Sequence, residues 1–402
     1  MTYAAGATWL RPRLWFALVV GAVTWVAWLA SLAVGGWYKD AAGTLVGADH
    51  LAFYTAARFV YDGNPAGMYD YAGIHARQQE LIGWKWVGIE GYRNPPFYAL
   101  LYLPTAGMSY YMSLVVWTVI GLGLFLSAVY LLKPEHLGRT LAWAFAFYPI
   151  FATTSFGQNT FLSLAVFVGV YRLTEANRLF LAGLTAGLLW FKPPLLIGLF
   201  VWWGLAPRRF LSCWLGVGAA GLSLAAVSWL VLPEASWAFV DSLRLNVAYG
   251  GEGKWNKHTP KAFFEMLLPW WPGLVWALVL SLSAISVWRM RQFLLRTGSR
   301  VEAQFPVAIF LSLWVSPHAL IYEWSLLVVA AVIVWERFPQ SREAWLCLFV
   351  SAGVALMVST PLTLLQLRTL GLPAAVQISI PLLGGIGLLT ARELESISLS
   401  HT

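Results

Sequence analysis

The chain is 402 residues long, 59% hydrophobic and only 11% charged, against about 25% charged residues in a soluble domain. That composition excludes an ordinary soluble enzyme and predicts one integral membrane unit of all-α, polytopic architecture. The net charge of +8 would suggest nucleic acid in a soluble protein, but no nucleic-acid motif accompanies it, and in a bilayer it serves orientation and contact with lipid phosphate.

The first apolar run, residues 14–36, follows Arg11 and Arg13. It exceeds the roughly 7–15 residues of a signal-peptide core, so it reads as a retained first span. Residues 37–94 form a long loop with an amphipathic helical pattern at 51–61 and the turn signal "DGNP", which predicts short helices lying at the interface. Spans are expected over 95–232, a second long loop over 233–269 and further spans over 270–392, about 11 to 13 membrane segments in all. Residues 96–108 leave the parity open, being short for a crossing. Cys213 and Cys347 carry no paired spacing, and neither an HExxH zinc signature nor a P-loop occurs.

Arginine and lysine clusters recur at 11–13, 133–139, 172–178, 208–209, 289–300, 337–342 and 392. If these face the cytoplasm, the midpoints between them face outward: "GADHLAFY", "RNPPFY", "SFGQNT", "FKPPLL", "GKWNKHTPK", "SPHALIYEW" and "LLQLR". Between 140 and 171, and again between 179 and 207, the chain goes out and back with about 15 residues each way, roughly 22 Å of helix for a core of roughly 30 Å. Such short helices must meet in a protein-enclosed, hydrated cavity, because bare backbone is not tolerated in lipid.

Four of the five aspartates lie in the first loop, and Asp49 stands nearest a helix start. It reads either as an N-cap or as a general base, ionised at neutral pH since an unperturbed aspartate titrates near ~4. Asp62 and Asp70 sit in turn contexts. Lys254, Lys257 and Lys261, with His258 among them, run against the positive-inside bias, which suits either a phosphate site or lipid headgroups. Lys192, a lone lysine between apolar helices, is a functional candidate or a snorkelling side chain. Gln158 and Asn159 at a helix start suit an anion or sugar hydroxyls as well as capping. His318, Tyr322 and Glu323 fall within a turn and a half of one another in an apolar stretch, and a single aspartate without a second carboxylate argues against a two-carboxylate glycosidase.

The ordered motifs "GADHLAFYTAARFVYDGNPAGMYD", "YRNPPFYALLYLP", "SFGQNTFL", "LLWFKPPLLIGL", "WAFV" and "SPHALIYEWSLLVVA" together resemble the bacterial glycosyltransferase family 87, integral membrane enzymes of the GT-C superfamily. The resemblance runs from about residue 47 to about 330. It implies a GT-C-like bundle in the bacterial cytoplasmic membrane with its active site facing outward. It also implies a polyprenyl-phosphate sugar donor, typically mannose, a glycolipid or glycan acceptor, and Asp49 as catalytic base. His50 stands where the family pattern has an aromatic residue. On this reading Lys192, Lys254, Lys257, His258 and Arg93 serve the departing phosphate, and Gln158, Asn159, His318, Tyr322 and Glu323 the donor sugar and phosphate. Inversion, with no metal and no cofactor, is expected. The competing class is a multi-span lipid or sugar transporter, disfavoured by one-sided motifs and the lack of inverted repeats.

Overall fold

The computed structural model describes residues 4–41, 43–82, 88–249 and 253–399. Positions 42 and 83–87 of the first expected long loop and 250–252 of the second lie outside the described residues. The described chain is helical, with isolated β-bridges and no strand. In order the helices are α1 Ala4–Val34, α2 Ala48–Tyr61, α3 Tyr71–Ile82, α4 Pro96–Tyr102, α5 Tyr110–Leu131 and α6 Leu137–Ala146. Then follow α7 Tyr148–Ser155, α8 Thr160–Glu175, α9 Leu179–Gly187, α10 Ile197–Leu205, α11 Pro207–Val231 and α12 Pro233–Tyr249. The last third holds α13 Pro260–Leu267, α14 Pro272–Thr297, α15 Val301–Trp314, α16 Leu327–Arg337, α17 Arg342–Leu364 and α18 Ser379–Leu399.

Among the described residues, five stretches are long and apolar enough to cross a membrane: Arg13–Val34, Tyr110–Leu131, Pro207–Val231, Pro272–Thr297 and Pro339–Thr369. Their large apolar side chains face outward, as at Leu222, Leu230, Val119 and Leu280, which is the surface expected against lipid. The segments between them are shorter. α4 has seven residues, about 10 Å of helix, so residues 96–108 cannot cross a bilayer alone. α7 has eight residues, α9 nine and α10 nine, about 12–14 Å each, in keeping with the short paired helices expected from cluster spacing. Proline sets many of these boundaries: α4, α7, α11, α13 and α14 each carry one in the first turn, where the missing N–H costs nothing.

α2 differs from the expected surface helix. Ten of its residues, from Ala48 to Phe59, are buried, so its pattern understates its burial. Leu51 and Tyr54 of α2 join Leu45, Tyr110 and Leu114 in a small core that seats α2 against α5. A single larger core runs through the rest of the bundle, with Phe125, Phe167, Trp202, Trp203, Phe305 and Trp324 among its fully buried rings.

Candidate functional site

Two glycines decide where Asp49 goes. Gly47 has φ +69° and Gly157 φ +64°, a region open to glycine at little cost. They also pack face to face: a Cβ on Gly157 would lie 3.1 Å from Gly47 Cα and 2.8 Å from His50 Cβ. The close approach lets Gly47 N donate to Ser155 O and Asp49 N to Phe156 O, both at 3.0 Å. The start of α2 is thereby stitched to the turn between α7 and α8.

Gly47, not Asp49, occupies the N-cap of α2, which corrects the capping alternative. The Asp49 side chain is free of its own helix and reaches the next turn, where Gln158 Nε2 donates to its Oδ2 at 3.0 Å and to the Tyr322 hydroxyl at 2.8 Å. The Tyr322 hydroxyl also stands close enough to the carboxylate to favour its ionised form. Burial raises the Asp49 carboxyl above its ordinary value, while the Gln158 bond and the Lys192 charge hold part of that rise back.

The same network continues to Lys192. Its Nζ lies 2.9 Å from Glu323 Oε1 and 3.3 Å from Asn159 Oδ1, and 5.2 Å over the Tyr322 ring. The other oxygen of Glu323 accepts from Leu320 N at 2.9 Å. Lys192 is therefore a paired charge, not a lone one. An ammonium has three donors and these contacts use two. Asn159 Nδ2 is buried without a hydrogen-bond partner among the described residues.

Two further contacts gather the remaining motifs. Asn94 Nδ2 donates to Phe191 O at 2.8 Å, docking "RNPPFY" on "FKPPLL". The 253–261 loop docks on "SPHALIYEW": Lys257 and Leu320 form an antiparallel bridge, His258 N donates to Ala319 O at 2.8 Å, and Trp324 Nε1 to His258 O at 3.2 Å. His318 consequently stands in the field of Lys257, Arg93, Lys192 and Lys261. Burial and the neighbouring charges of Arg93 and Lys261 pull the buried Lys257 ammonium down to about 8.

Asp49, Gln158, Asn159, Lys192, Tyr322 and Glu323 are thus one connected network, with the cations Arg93 and Lys257 beside it around His318. Two expected residues stand apart. His258 is fully buried, with Nδ1 at 2.7 Å from Ser379 Oγ and Nε2 at 3.1 Å from Thr360 Oγ1, so neither ring nitrogen is left for a phosphate. Lys254 is directed to Glu265 at 4.0 Å, which Lys261 also holds at 2.6 Å.

Glu90 is a residue the sequence reading missed. Buried Gln78 holds its backbone through both amide groups, Nε2 to Glu90 O at 2.8 Å and Glu90 N to Oε1 at 3.0 Å. Burial and the Asp49 charge push the Glu90 carboxyl up to about 8, against the pull of Arg93. Asp49 is therefore not an isolated carboxylate. No spacing in the sequence signals this, because 41 positions separate the two residues.

Below Gln158 and Asn159 lies a cavity of about 180 Å³ walled by Tyr98, Tyr102, Trp117 and Phe161. Leu101 and Ile120, both 41% exposed, stand on its wall, so it reaches from the site to the lateral face between α4 and α5. His50 borders it as a buried ring bonded to Ser113 Oγ at 3.0 Å, and burial depresses its pKa to about 3. It is a neutral member of an aromatic cluster with Tyr54, Tyr102 and Tyr110.

A scan against protein-family models matches residues 92–361 to the model described as glycosyltransferase family 87. No curated protein and no solved structure matches the chain. The matched segment contains Arg93, Gln158, Asn159, Lys192, Lys257, His318, Tyr322 and Glu323. It begins after Asp49 and Glu90, which the tertiary contacts bring to the same place.

Proposed function

Since the chain belongs to glycosyltransferase family 87, we propose that this membrane protein moves a sugar, mannose by the family pattern, from a polyprenyl-phosphate donor to a hydroxyl of a lipid-linked or glycan acceptor. The transfer takes place on the extracytoplasmic side of the bacterial cytoplasmic membrane, inverts the anomeric carbon and needs no metal. The observation that carries this reading is an enclosed carboxylate, Asp49, tethered by Gln158 next to a cationic cluster built from Lys192, Arg93 and Lys257.

The chemistry follows from that charge arrangement. Asp49 takes the proton of the acceptor hydroxyl as its oxygen attacks the anomeric carbon. The bond from that carbon to the phosphate oxygen breaks on the opposite face, and the electron pair leaves with the polyprenyl phosphate. The uncommitted Lys192 donor, Lys257 and Arg93 meet the negative charge that develops there. The unpartnered Asn159 Nδ2 supports a hydrogen bond to the donor, since a buried donor left unmade costs about 1–3 kcal/mol. The aromatic lateral cavity supports an isoprenoid chain reaching the site from the bilayer.

The test is purified protein in detergent with a polyprenyl-phosphate mannose and candidate acceptors. Consumption of donor with formation of a new α- or β-linkage of opposite configuration supports the proposal. Donor binding or movement across vesicles with no new glycosidic bond supports a transporter instead. Full activity of both Asp49→Asn and Asp49→Ala would falsify Asp49 as the base.

A further inference from the structure

A second, larger cavity lies far from this site. It measures about 370 Å³ and is walled by α1, α6, α16 and α17, within the roughly 300–1,000 Å³ of ligand sites. Arg13, at the beginning of the first span, borders it. Asp49 follows the other end of that 22-residue span, about 33 Å away along the helix. The cavity therefore belongs to the opposite, arginine-rich end of the bundle.

Its walls change character with depth. Arg13, Arg139 and Arg342 border it together with Glu135 and Glu336. Both glutamates are engaged by Arg342, at 3.2 and 3.7 Å, and Arg342 also lies over the Trp335 ring at 5.4 Å. Arg139 is solvent-exposed and makes no ion pair among the described residues, so a positive charge is left unanswered at the rim. Apart from His136 and Thr140, the rest of the wall is apolar, with Trp143, Val328, Ala331, Val332 and Phe349. Trp345 lies on that wall, 6% exposed, and its indole Nε1–H has no acceptor among the described residues.

We propose that this cavity is a binding site for an anionic glycerophospholipid of the adjoining leaflet. Its phosphate meets Arg139 and Arg13, an ester carbonyl accepts from Trp345 Nε1, and an acyl chain lies along Ala331 and Val332. The three features of the wall match the three parts of such a lipid in their order of polarity. A soluble anion would leave the apolar wall and the buried indole donor unused, and a chain without an anionic headgroup would leave Arg139 unused. The lipid wedges the first span and α6 against α16 and α17, so its effect is on the stability of the bundle.

The full chain, purified and stripped of lipid, is titrated with phosphatidylglycerol, phosphatidylethanolamine and glycerol 3-phosphate, reading bound lipid by native mass spectrometry and Tm by intrinsic fluorescence. Phosphatidylglycerol is expected to bind and raise Tm, the other two to do neither at matched concentration. Arg139→Gln weakens phosphatidylglycerol about fivefold, the loss of one surface cation near a phosphate. Ala331→Trp, which fills the apolar wall, abolishes its binding. Equal effects of phosphatidylethanolamine or of glycerol 3-phosphate overturn the proposal, the latter showing a plain anion site. Unchanged binding by R139Q overturns it as well, and because that residue is exposed the variant reads out even where A331W fails to fold.

Discussion

Gly157 is the residue on which the site's geometry most depends. Gly157→Ala puts a methyl 2.8 Å from His50 Cβ and keeps a positive φ, so it is expected to cost at least about 1–3 kcal/mol and to push Asp49 away from Gln158. Thermal unfolding in detergent measures the first effect and transferase rate the second. Asp49→Asn, isosteric but without basicity, is expected to lower kcat about 10²–10⁴-fold with little change in donor KM, the range of a lost general base. Burial raises the Asp49 pKa, and a base works only when deprotonated. Activity is therefore lost as pH falls through that raised value, and the acid limb of kcat/KM lies above the ~4 of a free aspartate. Glu90, with its carboxyl near 8, is mostly protonated at neutral pH and adds a negative charge beside Asp49 only above that value. Glu90→Gln is expected to keep the neutral-pH rate and to remove an alkaline inflection, a pH–rate profile best taken alongside Lys257→Gln because Lys257 titrates in the same range. The candidate status of Asp49, Lys192 and the 316–324 motif was legible from rarity alone: an acid and a lysine in so apolar a chain cost too much to be incidental. The partners were not legible, because hydrogen bonds such as Gln158 to Asp49 join residues 109 positions apart.

At the level of elements, the site is built from breaks in helices. Lys192 stands at the non-helical junction between the 3₁₀ turns Leu188–Phe191 and Pro193–Leu196. Glu323 stands in the turn Ile321–Leu326 that leads into α16. Their ion pair at 2.9 Å, with Glu323 almost wholly buried, locks the two broken segments together. Removing one partner strands a buried charge, so Glu323→Gln and Lys192→Met are each expected to destabilise by about 3–5 kcal/mol, with the double variant losing less than the sum. A double-mutant cycle on unfolding midpoints checks it. The sequence announced these breaks through "KPP" and "SPH" and through spans too short to cross, since proline cannot continue a helix. It did not announce that α2 is buried. Thr55, a polar residue of the amphipathic stretch, is itself enclosed, as is the neighbouring His50, and periodicity records polarity but not burial.

At the scale of the whole molecule, the aromatic cavity and the larger, arginine-rimmed one lie at opposite ends of the bundle. The one beside Gln158 and Asn159 opens between α4 and α5, and Ile120 stands at its margin. Ile120→Trp is expected to raise KM for a long-chain polyprenyl donor while sparing a short-chain analogue, a comparison of two donors with one variant. Equal losses on both would mean that the chain does not pass there. Composition together with long unbroken apolar runs determined that this is a helical membrane protein, because backbone in lipid must be satisfied within helices or a closed barrel and runs of about 20 apolar residues are the mark of helices. The order of weak motifs determined the family that the match over 92–361 shows. What only the tertiary structure decided is which polar groups meet. Gly47 against Gly157 brings the first loop onto the seventh helix, the Lys257–Leu320 bridge brings the second loop onto the last motif, and His258 and Lys254 are drawn off to partners of their own. Residue type sets what a side chain can do, but in a bundle of short, broken helices the neighbours that give it a use are fixed by contacts across a hundred or more positions of chain.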